Sequence, residues 1–184
     1  MLYLMRHGAP AVAGRLLGRT DDPATEAGIA ACAARAAGLD VARIEASDLI
    51  RARACAEEIA GPRGLPIALD SRWRELDFGT WDGLAPAAID PAALGAFYDD
   101  PDTAPPGGER WSALHDRVAC ALEAMPTVST LVVTHGGAIR AALAALCGFD
   151  RQQIWAFDLP YAALVSLRVW PGPTRTVQIV GLAT

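Results

Sequence analysis

A chain of 184 residues with 52% hydrophobic content can fold around a substantial core, and a single domain over 1–184 is expected. The net charge of -5 argues against a broad nucleic-acid or anionic-membrane surface, although a local cluster of arginines can still bind a small anion. No apolar run is long enough for a signal-peptide core or a membrane span, and the four cysteines form no C-x-x-C pair. A soluble cytoplasmic protein without disulfides or zinc is therefore predicted.

Strands and helices are predicted to alternate along the chain. The apolar and β-branched runs predict strands over 2–5, 41–46, 67–69, 130–134, 163–170 and 176–182, the last two as a hairpin around Pro171-Gly172-Pro173. Helical spacing and end signals predict helices over 26–37, 48–60, 111–125 and 138–146, with a short helical turn in 150–157. This order predicts an α/β fold, a three-layer α/β/α sandwich with a mostly parallel central sheet.

Local signals also predict how these helices begin and end. Thr25 and Ser47 are expected to cap the first two helices, and Gly38 to follow the end of the first. Prolines at 86, 91 and 101 break the segment 84–102 into helical fragments. The stretch 84–110 is therefore expected to be a short insertion that covers one edge of the sheet.

Chemically active residues follow the predicted strands. His7 and His135 come directly after two strands, Arg51 lies one turn into the helix that follows another, and Glu75 follows the short third strand. Because ligands bind beyond the carboxyl ends of parallel strands, these residues are expected to converge on one edge. The helix predicted to begin after Gly137 adds backbone N–H groups and positive potential there. The edge is thus predicted to bind an anion.

Some charged residues have two interpretations from sequence. Arg15 and Arg19 are either solvated loop charges or line the mouth of the anion site, and Arg19 is favoured because it follows Gly18. Glu109 either supports the site from behind or is a favourable charge at a helix start. His115 lies one step off the apolar stripe of its helix, which predicts an ordinary surface histidine.

Phosphoryl transfer to histidine fits this inventory better than the alternatives. Arg6 next to His7 disfavours a metal ion, because cations repel each other, so no metal is expected. There is no G-x-S-x-G motif, and a chain without lysine cannot contain a P-loop. A phosphoryl group needs several fixed donors and an in-line nucleophile, and neighbouring cations favour the neutral, nucleophilic imidazole.

Four motifs in chain order carry a family resemblance. Arg6-His7-Gly8, Ser47 to Ala52, Glu75 to Gly83 and Thr134-His135-Gly136-Gly137 together resemble the histidine phosphatase superfamily, which has the phosphoglycerate-mutase-like fold. The segment from Gly18 to Gly28 is also similar to the segment that follows the nucleophile in that family. The resemblance spans nearly the whole chain.

The resemblance implies a role for each site residue. His7 would be the nucleophile that becomes phosphohistidine, and Glu75 the general acid and then the base that activates water. Arg6, Arg51 and His135 would bind the phosphoryl oxygens. Gly136, Arg19 and Glu109 are further candidates for substrate contacts. The resemblance implies no organic cofactor.

Within the family, the motifs favour a phosphatase of small metabolites. The Glu75 to Gly83 motif and the Pro106 to Glu109 turn look like the α-ribazole-5′-phosphate phosphatase branch of cobalamin synthesis, and the short 84–110 region favours hydrolysis over mutase transfer. Ala9 and Arg110 depart from the usual pattern. A phosphoglycerate mutase and a non-catalytic phosphate sensor are the alternatives, and a homodimer is an oligomeric state that the sequence leaves open. Four aromatic residues could line a leaving-group wall or belong to the core, namely Trp81, Phe97, Tyr98 and Trp111.

Overall fold

A computed structural model describes residues 1–100, 102–170, 172 and 176–184. Its strands are β1 (Leu2–Arg6), β2 (Arg43–Ala46), β3 (Ile67–Leu69), β4 (Thr130–Thr134), β5 (Leu164–Trp170) and β6 (Thr176–Ala183). Its α-helices are α1 (Glu26–Ala36), α2 (Ile50–Ala60), α3 (Pro91–Asp99), α4 (Trp111–Ala124), α5 (Gly136–Cys147) and α6 (Arg151–Trp155).

The strands form one six-stranded sheet in the order β3-β2-β4-β1-β5-β6. The pairs β3–β2, β2–β4 and β4–β1 are parallel, whereas β1–β5 and β5–β6 are antiparallel. The predicted α/β fold with a mostly parallel sheet is therefore confirmed, as is the pairing of the two late strands at one edge. The turn expected at Pro171 and Pro173 lies outside the described residues, as does the helix break expected at Pro101.

Two apolar cores lie on opposite faces of the sheet. On one face α4 and α5 pack through residues such as Leu114, Val118 and Leu143 against Leu4 and Val132. On the other face α1 and α2 pack small side chains, many of them alanine or cysteine, against the sheet. Small side chains allow a close helix-to-sheet approach, which explains how an alanine-rich chain fills a three-layer sandwich.

Helix ends agree with the prediction at α1 and differ from it at α2. Thr25 caps α1 as predicted, with its side chain accepting from the N–H of Gly28, and Gly38 directly follows the C-cap Ala37, although without a left-handed conformation. Ser47 does not cap α2, which begins at Ile50 after Leu49 with no side-chain cap. The sequence around a serine that precedes a helix does not show whether its hydroxyl binds the helix backbone or a side chain distant in the chain. Here the hydroxyl of Ser47 contacts the ring of His135.

The segment 84–110 is short, as expected, and it packs against the Glu75 to Gly83 loop. It contains a 3₁₀ turn over Pro86–Ala88 and helix α3, whose residues are all at least partly exposed. Gly79, at φ +53°, and Gly108 let the two backbones approach, since a Cβ on either would lie within 2.5 Å of main-chain atoms of the other segment. The one-domain organisation of 1–184 stays a prediction. In the described part of the chain, no helix has both the length and the apolar character needed to cross a membrane.

Candidate active site

His7 lies at the centre of the sheet edge. Its N–H donates to the carbonyl of Thr134 at 2.8 Å, and its carbonyl accepts from the N–H of Ala162 at 3.1 Å, so the main chain is held between β4 and β5. Nδ1 lies 2.7 Å from the carbonyl oxygen of Gly8. Because a carbonyl can only accept, Nδ1 carries the proton and Nε2 keeps its lone pair.

The charge state of His7 also favours a nucleophile. The side chain is 4% exposed, and burial, followed by the charge of Arg51, lowers the pKa of His7 from 6.5 to about 3. The imidazole is therefore neutral at physiological pH. The direction agrees with the sequence argument, but burial, more than the neighbouring cations, is its largest cause.

His135 faces His7, with ring centroids 5.0 Å apart. It is fully buried, and burial, followed by the nearby charges of His7 and Arg51, lowers the pKa of His135 well below 6.5. Its Nε2 lies 2.8 Å from the hydroxyl of Ser47. The oxygen of that hydroxyl accepts from the N–H of Leu49 at 3.4 Å, which leaves its proton free to be donated to Nε2. Ser47 is thus a residue of the site that the sequence misassigned as a helix cap.

Arg6 and Arg51 both reach the site, and each uses some of its five N–H donors on backbone carbonyls. Nη1 of Arg6 donates to the carbonyl of Leu159 at 2.6 Å, and its guanidinium lies 4.1 Å above the ring of Tyr161. Both Nη groups of Arg51 donate to carbonyls of the loop 17–20, at 2.6 to 2.9 Å. The Nε atom of each arginine is buried without a protein partner.

Unpaired buried donors are concentrated around His7. Among the described residues, five buried side-chain nitrogens have no hydrogen-bond partner, and four of them belong to Arg6, Arg51, His135 and Arg140. Folded proteins pair the great majority of such groups, so a cluster of unpaired ones needs an explanation. Three guanidiniums and an imidazole with spare N–H groups fit the binding of an anion.

Glu75 is held at the N-terminus of α5. Its Oε2 accepts from the N–H of Gly137 at 3.0 Å, and its Oε1 accepts from the N–H of Leu76 at 2.8 Å. A Cβ at position 137 would lie 2.1 Å from Oε1, so only glycine admits the carboxyl group here. The Gly136-Gly137 pair therefore serves the contact with Glu75 as well as the helix start.

Glu109 lies behind Glu75. Its carboxylate accepts from Nε and Nη2 of Arg117 at 2.7 and 2.8 Å, and from the N–H of Asp77 at 3.3 Å. Arg117 in turn donates to the carbonyls of residues 72, 74 and 75, at 2.7 to 2.9 Å. These contacts fit the interpretation that Glu109 supports the Glu75 loop from behind, and its predicted contact with substrate stays a prediction. Arg117 was not identified from the sequence.

The loop arginines are placed differently from expectation. The side chain of Arg19 lies 3.3 Å from Asp77 and 3.9 Å from Glu109, and its backbone N–H donates to Asp82. Arg15, the less favoured of the two, lines a recess of about 130 Å³ together with Arg6, His7 and Glu75. The pairing of Arg19 with two carboxylates weakens its predicted contact with substrate.

A larger cavity of about 160 Å³ shares Arg6 and Glu75 with this recess and also has Gly136 and Gly137 in its wall. Three of the four predicted aromatic residues line it, namely Phe97, Tyr98 and Trp111. Trp81 is buried beneath them and packs edge-on against Phe97 at 5.9 Å. Arg140, Ile154 and Trp155 also line it and were not identified from the sequence. His115 lies at the surface beside Asp116, as predicted.

The chain is similar in sequence to a known protein family and to individual known proteins. Residues 2–180 match the family model described as "Histidine phosphatase superfamily (branch 1)". The glucosyl-3-phosphoglycerate phosphatase of Mycolicibacterium vanbaalenii is 32% identical over 166 residues, which cover 80% of this chain and 74% of that protein. The probable phosphoglycerate mutase GpmB of Salmonella choleraesuis is 33% identical over 160 residues, with coverage of 80% and 74%.

The chain is also similar in fold to a solved structure. The mycobacterial glucosyl-3-phosphoglycerate phosphatase in complex with VO3 superposes with a TM-score of 0.84 at 29% identity, over 98% of this chain and 97% of that one. None of these three relatives is named an α-ribazole phosphatase, so the finer branch expected from the motifs is not confirmed.

Proposed function

Because the chain belongs to the histidine phosphatase superfamily, we propose that it hydrolyses a small phosphomonoester through a phosphohistidine at His7. The observation that carries this proposal is the state of His7: Nδ1 donates to the Gly8 carbonyl, Nε2 has a free lone pair, and the pKa of about 3 keeps the ring neutral. A neutral imidazole fixed next to spare guanidinium N–H groups has the chemistry of a phosphoryl acceptor.

In the first step, Nε2 of His7 attacks phosphorus and the bond to the ester oxygen breaks. Glu75 gives its proton to that oxygen, so the alcohol leaves in neutral form. Each Glu75 oxygen accepts one backbone N–H, which fixes the carboxyl group without using all its lone pairs. The spare Nε donors of Arg6 and Arg51 would stabilise the charge on the phosphoryl oxygens.

In the second step, Glu75 takes a proton from water as the water oxygen attacks phosphorus. The bond from Nε2 to phosphorus breaks, which releases inorganic phosphate and restores neutral His7. His135 would contribute Nδ1–H to the phosphoryl group when the hydroxyl of Ser47 donates to Nε2. These residues complete the cycle without a metal ion or a cofactor, which is part of the proposal.

The relatives favour a phosphorylated hydroxy-acid derivative such as glucosyl-3-phosphoglycerate as substrate, because that compound appears in the names of a relative and of a solved structure. The aromatic wall of Phe97, Tyr98 and Trp111 suits the face of a sugar, and equally the benzimidazole of α-ribazole 5′-phosphate. Similarity to GpmB makes phosphoglycerate mutase activity the second candidate. A mutase must protect its phosphoenzyme from water, and the short 84–110 region favours hydrolysis.

Turnover of p-nitrophenyl phosphate in the presence of EDTA tests the proposal. The wild type should release phosphate, and His7→Ala should reduce the release to background. His115→Ala is the matched control, because it removes a surface histidine that contacts only Asp116 among the contacts described, and it should behave as the wild type. Wild-type release no higher than that of His7→Ala would overturn the phosphatase proposal.

A panel of phosphomonoesters then addresses the substrate. It should include glucosyl-3-phosphoglycerate, α-ribazole 5′-phosphate and 3-phosphoglycerate. A mutase would interconvert 2- and 3-phosphoglycerate with little net release of phosphate, which separates the two candidate activities.

A further inference from the structure

Arg140 is a half-buried cation on which the carboxylates of Glu75 and Asp158 act only at longer range. It lies on α5, one turn after Gly136, in the wall of the larger cavity. Its Nε is buried without a partner, and Nη2 donates to the carbonyl of Phe157 at 3.4 Å, a long hydrogen bond compared with the usual range of about 2.7–3.2 Å. Within the described residues, no carboxylate lies within 4.0 Å of this guanidinium.

Two other half-buried arginines, Arg117 and Arg74, are paired with carboxylates. Arg117 has the carboxylate of Glu109 and three carbonyls, and Arg74 has both oxygens of Asp48. Arg140 instead stacks on the ring of Trp155 at 4.2 Å, which orients the guanidinium plane but supplies no negative charge. A desolvated cation left in this state is costly, so its presence in a cavity wall favours a ligand that provides the opposite charge.

The position of Arg140 relative to Arg6 indicates which part of a bound substrate the Arg140 guanidinium would contact. A Cβ on Gly136 would lie 3.3 Å from Nη1 of Arg140 and 3.7 Å from Cζ of Arg6, so the two guanidiniums are near neighbours across Gly136. Arg6 is proposed to bind the phosphoryl group, so Arg140 meets atoms a few bonds away, on the alcohol that leaves. A neutral sugar does not require a cation there, and the single positive charge of one guanidinium balances the one negative charge of a carboxylate but not the two of a second phosphate dianion.

We propose that Arg140 determines substrate specificity by binding a carboxylate on the leaving alcohol, so that the preferred substrate is a phosphorylated hydroxy acid with a short backbone. This inference rests on the proposed phosphatase function and assigns to it a residue and a ligand group. The planar guanidinium matches the two oxygens of a carboxylate, and the aromatic wall of Phe97, Tyr98 and Trp111 contacts whatever extends beyond it.

A matched pair of substrates tests this role. 3-Phosphoglycerate and glycerol 3-phosphate differ in a carboxylate that replaces a hydroxymethyl group, and both have an alkoxide leaving group. The wild type should show a higher kcat/KM on 3-phosphoglycerate. Arg140→Gln should lower the ratio of the two kcat/KM values by about ten- to a hundredfold, the range for hydrogen bonds to a charged group.

Two further variants serve as controls. Arg140→Lys keeps the charge but loses the planar fork, so the ratio should fall by less than in Arg140→Gln. Arg168→Gln also removes an arginine that stacks on a tryptophan, with Cζ 5.8 Å from the Trp170 ring, but on an exposed part of β5. Its ratio should equal that of the wild type.

The outcomes separate this inference from the function on which it rests. Equal losses on both substrates in Arg140→Gln, or a wild type that does not prefer the carboxylate, would overturn the specificity role while His7-dependent turnover of p-nitrophenyl phosphate upholds the phosphatase. Calorimetric binding of both compounds to His7→Ala gives a readout without turnover. A preference for 3-phosphoglycerate that disappears in His7→Ala/Arg140→Gln supports the role of Arg140 even if hydrolysis fails, and equal affinities for the two compounds contradict it.

Discussion

Replacing Gly137 by alanine should disable the proposed general acid while the fold stays intact. The new Cβ would lie 2.1 Å from Oε1 and 3.1 Å from the carboxyl carbon of Glu75, whereas nonbonded atoms prefer separations of about 3.5 Å. The next atom it meets, in Leu114, is already at 3.5 Å. The end of a flexible side chain therefore has to move, by about 1 Å, and it loses the hydrogen bond from the N–H of Gly137.

The expected loss in rate and the expected change in the free energy of unfolding can both be estimated from these contacts. A displacement of about 1 Å of a catalytic group can cost on the order of a hundredfold in rate. For stability, alanine is preferred to glycine in a helix by up to about 1 kcal/mol, and this gain opposes the loss of one charge-assisted hydrogen bond of about 1.5–3 kcal/mol. The free energy of unfolding should therefore fall by no more than about 2 kcal/mol.

Two substrates of different leaving-group basicity reveal the effect. Glycerol 3-phosphate needs a proton on its alkoxide, whereas p-nitrophenolate leaves without one. Gly137→Ala should lose about a hundredfold in kcat on the former and less than tenfold on the latter. Gly95→Ala, in α3, is the control, because a Cβ there meets nothing within 4 Å.

A double variant decides whether the loss acts through Glu75. Glu75→Gln removes the acid itself, so adding Gly137→Ala to it should cause little further loss on glycerol 3-phosphate. Additive losses would refute the reasoning, as would a folded Gly137→Ala that keeps wild-type kcat on this substrate.

Two other predictions concern His7 and Glu109. Since the pKa of His7 is about 3 in the folded protein and about 6.5 in the unfolded chain, unfolding takes up a proton between these values, so stability from this group is complete above about pH 6.5 and falls with acidification by up to about 1.4 kcal/mol per pH unit. His7→Asn should reduce the slope of the urea-derived unfolding free energy against pH in this range by about that amount, His115→Asn should not, and an unchanged slope in His7→Asn would contradict the buried neutral histidine. Glu109→Gln leaves Arg117 without its carboxylate partner, so we expect a loss of about 3 kcal/mol in unfolding free energy and a larger fall in kcat for glycerol 3-phosphate than for p-nitrophenyl phosphate. Equal falls on both substrates would argue against a role in positioning Glu75.

Much of the site follows from where strands end in the sequence. His7 and His135 follow β1 and β4, which the parallel pairing of Arg6 with Thr134 sets side by side. This convergence is predictable because a buried apolar run identifies a strand and the carboxyl ends of parallel strands share one edge. Glu75 is brought there by its loop, which the family motif indicated.

The site residues that were not predicted from the sequence are those whose positions depend on contacts between segments distant in the chain. Arg117 and Arg140 lie on helices, where spacing predicts the buried face but not which distant carbonyl or cavity a long side chain reaches. Tyr161 contacts both His7 and Arg6 from the loop before β5, with its ring centroid 5.6 Å from that of His7. No local pattern distinguishes such a tyrosine from any other loop aromatic residue.

The part of the substrate site around His7 and the part formed by helix α3 should differ in local stability. Backbone hydrogen bonds to β4 and to the loop before β5 hold His7, so its amide should exchange with solvent only when the sheet opens. Helix α3, which carries Phe97 and Tyr98, has no buried residue and should open at much lower cost. Substitutions in α3 can therefore change which alcohol fits with little loss of stability, and they leave the phosphoryl chemistry in place. This division gives a physical route by which proteins of one fold can acquire different substrates.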